Sequence, residues 1–110
     1  MAVRAFTNEP KDLLLAIKKA IADGVITTWR IDADGDLTHT STQWKGKAWM
    51  RPKVLEDRLL FNIIASKNEE MSKAVYGVYH GRLVQTLLIH FDTKMTTVTA
   101  TALGTSGDNM

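Results

Sequence analysis

At 110 residues, 45% hydrophobic and 24% charged, with a formal net charge of +2, the chain has the composition of one ordinary globular domain, which excludes disordered and collagenous classes and two independent cores. It contains no cysteine, so disulfides, thiol nucleophiles and thiolate metal sites are excluded together, and a reducing compartment suits it. The stretch Met1 to Phe6 carries Arg4 and lacks an apolar signal region, and no run approaches the roughly 20 residues of a bilayer span, so a cytoplasmic protein without membrane insertion is expected.

Ala2 to Phe6 reads as a short strand. Thr7 or Asn8 then offers a helix cap, with Glu9 and Pro10 in the first turn, where an acid suits the helix dipole and proline sacrifices no hydrogen bond. Leu13, Leu14, Ile17 and Ile21 recur at helical spacing, and Gly24 is placed to end the helix. From Val25 the period changes to two, with Val25, Thr27, Trp29 and Ile31 on one face. Asp32-Ala33-Asp34-Gly35 fits a type I turn closed by a left-handed glycine, a three-residue hairpin loop that sets Ile31 opposite Leu37 and Trp29 opposite His39.

Lys47 to Leu55 alternates again, with Ala48, Met50, Pro52 and Val54 on one side and Lys47, Trp49, Arg51 and Lys53 on the other. Pro52 cannot donate to a ladder and points to an edge strand. Glu56-Asp57 turns the chain into Arg58 to Ala65, with Val54 facing Leu59, Pro52 facing Phe61 and Met50 facing Ile63, so one side of this hairpin is apolar. Glu69 to Phe91 reads as one long helix with Tyr76, His80, Leu83, Val84, Leu87 and Phe91 on a broad face and Gly77 and Leu88 at its border. A second strip, Val75, Val78 and Ile89 around Arg82, leaves the helix apolar on more than one side. Met95 to Ala102 is a final strand, expected inside the sheet, and residues 104–110 form a polar, flexible tail. The fold expected is α+β: a single domain over residues 1–110, with a mainly antiparallel sheet of about five strands and two helices packed on one face.

Asp32, Asp34 and Asp36 invite a calcium reading, but Leu37 stands where the loop glycine of an EF-hand belongs and Gln43 where its glutamate belongs, so a hairpin turn is the better account and no metal is expected. No paired nucleophile and base is visible, no catalytic residue is assigned, and no cofactor is expected. Three binding surfaces remain. The first is a partner face of Val75, Val78, Arg82 and Ile89, which with the Gly77/Gly81 spacing suggests an interaction or assembly protein, a homodimer. The second is a basic and aromatic hairpin face of Lys47, Trp49, Arg51, Lys53 and Arg58, suited to weak binding of single-stranded nucleic acid, although lysines guarding a solvated edge strand produce the same pattern. The third is a small ligand or enzyme site centred on Tyr79, His80 and Arg82, with Trp29 or Trp44 as a wall; a packed histidine is its simpler explanation.

The stretch from Trp29 through Asp34-Gly35-Asp36, Thr38-His39-Thr40, Gln43-Trp44, Lys47-Ala48-Trp49 and Arg51-Pro52, with Tyr76-Gly77-Val78-Tyr79-His80-Gly81-Arg82 and His90-Phe91-Asp92, resembles a family of small bacterial proteins of unassigned function. The resemblance covers most of the chain. It implies a bacterial cytosolic setting and supplies no fold, activity or site residue.

Overall fold

Two amphipathic patterns, one of period two and one of helical period, become one sheet and two helices. The computed structural model describes residues 2–67, 70–104, 107 and 108. In chain order the elements are β1 (Ala2–Phe6), α1 (Pro10–Ala22), β2 (Trp29–Ile31), β3 (Leu37–His39), β4 (Ala48–Val54), β5 (Arg58–Ala65), α2 (Lys73–Phe91), a 3-10 turn (Asp92–Lys94) and β6 (Thr97–Ala100). The strands form one antiparallel six-stranded sheet in the order β2-β3-β4-β5-β1-β6. The class is the expected α+β, with six strands in place of about five.

Both local hairpins have the registers expected from their loops. Ile31 pairs with Leu37 and Trp29 with His39, while Asp32 N–H donates to Asp36 and Gly35 takes a positive φ of 86°. Val54 pairs with Leu59, Pro52 with Phe61 and Met50 with Ile63. These pairings put Met50, Leu59, Phe61 and Ile63 on one face with Val3 and Ala5, where Leu13 and Ile17 of α1 and Val75, Tyr79, Leu83, Leu87 and Phe91 of α2 complete a single core. The helices thus seal one face, and the opposite parity of β1, β4 and β5 is left open.

Four details depart from the sequence expectations, each for a physical reason. Residues 25–28 are not strand: Val25 and Ile26 both donate to Ala20 as the helix unwinds past Gly24, leaving only three residues for β2. Pro52 lies in an interior strand, tolerated because β3 pairs with β4 only at Leu37 and Met50, so beyond that point one side of β4 has no ladder to break. β6 is an edge strand beside β1 and not an inner one. Finally α2 starts at Lys73, after Ser72 caps it by accepting from Val75 N–H at 3.1 Å. Glu69, the expected start, lies outside the described residues.

Candidate functional site

The open face of the sheet is read directly from register. Since Val3, Ala5, Leu59 and Phe61 point into the core, Arg4, Arg58, Leu60 and Asn62 stand on the other side with Trp49, Arg51 and Lys53 of β4. Arg4 and Lys53 flank Leu60, because Arg4 pairs with Leu60 and Leu60 with Lys53. Arg4, Arg51, Lys53 and Arg58 converge on a cleft of about 490 Å³, floored by Leu60 and Asn62 and reaching Gly107. Each arginine on the rim is held differently. Arg51 makes a two-pronged ion pair with Asp36, Nε to Oδ1 at 3.0 Å and an Nη to Oδ2 at 2.8 Å. Arg58 donates to Asp57 at 2.8 Å and lies 5.1 Å from the Phe6 ring centre. Arg4 and Lys53 have no ion-pair partner among the described residues.

Of the basic face expected from sequence, Trp49, Arg51, Lys53 and Arg58 share this surface, whereas Lys47 precedes β4 and does not line the cleft. Arg4 was missed. Its signal was available, since a strand reading Ala-Val-Arg-Ala-Phe with Val3 and Ala5 inward must turn Arg4 outward. At the far end of the cleft the Asp108 carboxylate accepts from Asn62 at 2.8 Å and from the Ile63 N–H at 3.1 Å.

Beyond Arg51 lies a second hollow, of about 320 Å³, where Trp49, Ile64 and Lys67 face Asp32, Asp34 and Asp36. The three carboxylates lie within 4.8 Å of one another. Two are already committed: Asp32 accepts from the N–H groups of Asp34 and Asp36 at 2.9 and 3.0 Å, and Asp36 holds Arg51. Their arrangement is that of a hairpin turn braced by its own side chain.

The residues singled out on α2 separate. Val75 is 8% exposed and belongs to the protomer's own core, so it cannot serve a partner face; Val78 is half-buried, and only Arg82 and Ile89, the latter 64% exposed, stand out in solvent. Of the face expected on α2, His80, Leu83, Leu87 and Phe91 are buried, while Val75 and Tyr79 are buried in place of the half-buried Tyr76 and Val84; the Tyr79 hydroxyl donates to the Trp44 carbonyl and sits 3.2 Å from Thr38 Oγ1. His80 Nδ1 lies 2.8 Å from the Tyr76 carbonyl in its own helix, and Arg82 is exposed. Tyr79, His80 and Arg82 therefore do not converge on one site. Trp29 instead spans to α2 by donating to Thr86 at 3.1 Å.

One interior group was not singled out from sequence. The His39 ring is closed from solvent, 4.2 Å from the Trp29 ring and 4.7 Å from that of Tyr79, and neither ring nitrogen has a hydrogen-bond partner among the described residues. Burial, with the Arg82 charge adding to it, lowers its pKa from 6.5 to about 4. The imidazole is thus neutral at physiological pH and acts as an aromatic wedge.

No protein-family model, curated protein or solved structure matches this chain. Among the described residues, no helix is long and apolar enough to cross a membrane.

Proposed function

We propose that the protein is an assembly unit that acts as a homodimer, joined at the β6 edge of the sheet and along the side of α2 that overlooks it. The observation that carries this reading is an unguarded edge. From Met95 to Leu103 the chain holds no charge and no proline, two of the devices that stop an edge strand from recruiting another. Thr101 N–H donates to Ala2, so by the alternation of an antiparallel ladder the Val98 and Ala100 N–H groups point away from β1, with no strand beside them among the described residues. A charge-free strand suits its own antiparallel copy, because a two-fold axis brings no like charges together.

The helix above the edge supports the same occupant. Tyr76 and Gly77 share a cavity with Ala102 and Leu103, which places that side of α2 over the end of β6, and Gly81, Val84 and Leu88 continue the row at helical spacing. Leu88 is 52% exposed, and a Cβ at Gly77 or Gly81 would meet nothing within 4 Å, so a second helix has room to approach. This row replaces the Val75/Val78/Ile89 strip as the partner face. A cysteine-free chain accords with a cytoplasmic site of action.

Light scattering at micromolar concentration should return the mass of two 12.3 kDa chains. Ala100→Pro, which removes an outward donor and spares the ladder to β1, should shift the mass towards one chain. A one-chain mass for the unaltered protein refutes the proposal.

A further inference from the structure

We infer that the open sheet face binds single-stranded nucleic acid, with Arg4, Lys53, Arg51 and Arg58 holding phosphates and Trp49 stacking a base in the adjoining hollow. The charge balance comes first. Four cations rim one cleft of about 490 Å³ against one carboxylate, that of Asp108, which is bonded to Asn62 and the Ile63 N–H at its far end, and Arg4 and Lys53 make no ion pair among the described residues. Asp36 and Asp57 lie to the outside, pairing with Arg51 and Arg58, so they orient the guanidinium groups without occupying the cleft. The Arg51 bond to Asp36 uses Nε and one terminal nitrogen, and the other terminal nitrogen takes no part in that pair.

Spacing comes second. Trp49, Arg51 and Lys53 alternate along β4 at about 6.8 Å, two residues of strand, and so present an aromatic plane and then two cations to anything running parallel to the strand. An extended backbone with charge and a flat ring in every repeat matches that order. A phospholipid surface would meet the same cations, and the vesicle competitor below separates it from a nucleic-acid strand.

The third observation chooses the base. Of the three acids in the hollow beside Trp49, Asp32 and Asp36 are already engaged, which leaves the exposed Asp34 carboxylate to accept from the exocyclic amino group of cytosine, whereas thymine offers a carbonyl at that position. Phosphates therefore go to the basic side of Arg51 and an amino-bearing base to its acidic side. The surface does not require the dimer: Arg4, Arg51, Lys53 and Arg58 all come from one protomer.

Fluorescence anisotropy with labelled single strands of roughly twelve nucleotides tests this, using oligo(dC), oligo(dT) and, as a competitor, vesicles rich in phosphatidylserine. Oligo(dC) should bind more tightly than oligo(dT), and with about four phosphates engaged the logarithm of affinity should fall with the logarithm of salt at a slope of about −3. Arg4→Gln and Lys53→Gln should each reduce that slope by about 0.7 and leave the melting temperature unchanged. Trp49→Ala should weaken oligo(dC) by about fivefold or more, with Trp49→Phe restoring much of it should alanine disturb the strand. No binding of oligo(dC) at low salt refutes the assignment. So does equal affinity for the two strands with Trp49→Ala as tight as wild type, or displacement by vesicles with no response to the tryptophan.

Discussion

His39 makes the stability of this fold depend on pH in a direction and window that follow from its environment. The unfolded chain takes up a proton on this histidine near its ordinary pKa of 6.5, while the folded ring, pressed between Trp29 and Tyr79, resists it until about pH 4. Between those values the unfolded state binds more protons, so stability that is complete above pH 6.5 declines as the pH falls towards 4. The full displacement corresponds to about 3 kcal/mol, of which about 2 kcal/mol is already lost at pH 5. Other acidic groups titrate in the same range, so the contribution is isolated by difference. His39→Phe keeps a ring against Trp29 and Tyr79 and removes the proton site. Urea unfolding followed by tryptophan fluorescence at pH 7 and pH 5 should show the wild type losing about 2 kcal/mol more than the variant. At pH 7 the variant should be no less stable, since it replaces two nitrogens that have no partner among the described residues in a closed site. Equal losses for the two proteins would refute the reasoning.

Three further outcomes follow from individual contacts. Tyr79→Phe removes the donor to the Trp44 carbonyl and should cost about 1–2 kcal/mol in urea unfolding, the value of a buried bond whose acceptor is left behind. Gly35→Ala should destabilise by about 1 kcal/mol or more, because the three-residue loop needs φ near 86° there; a neutral effect would mean the hairpin closes differently. Phe61→Ala, in the middle of the sheet's buried face with no exposed surface, should cost about 3–5 kcal/mol by calorimetry, whereas Lys53→Gln on the open face of the neighbouring strand should cost almost nothing.

Hairpin registers were legible in the sequence because they are counted locally. The turn chemistry of Asp32 to Gly35 fixes which residues meet, and two apolar rows of equal parity can pair across Glu56-Asp57 in only one way that keeps Met50, Phe61 and Leu59 together. Sheet order was not legible. Nothing within Thr97–Ala100 says that it lies beside β1, since that pairing closes a loop through the entire chain, and its edge position is the feature on which the proposed dimer depends. The orientation of α2 was legible at His80, Leu83, Leu87 and Phe91 and not at its N-terminal half, where apolar residues occur on several sides and Val75 and Tyr79, not Tyr76, are the buried ones. The basic face was half visible, through the alternation of Trp49, Arg51 and Lys53. Its completion by Arg4 needed the knowledge that β1 runs next to β5, which brings residues 4 and 53 to either side of Leu60. The hairpin register set His39 opposite Trp29, but the threonines on either side of it disguised a buried strand, in which Thr38 also turns inward to donate to the Ala48 carbonyl at 2.7 Å.

Amide hydrogen exchange read residue by residue along β6 tests the proposed edge most directly. At high protein concentration the Val98 and Ala100 amides, which point away from β1, should be protected alongside Thr99 and Thr101, and dilution should release the first pair alone. Rapid exchange at Val98 and Ala100 at every concentration, with Thr99 and Thr101 slow throughout, would contradict the account and leave β6 as a bare edge.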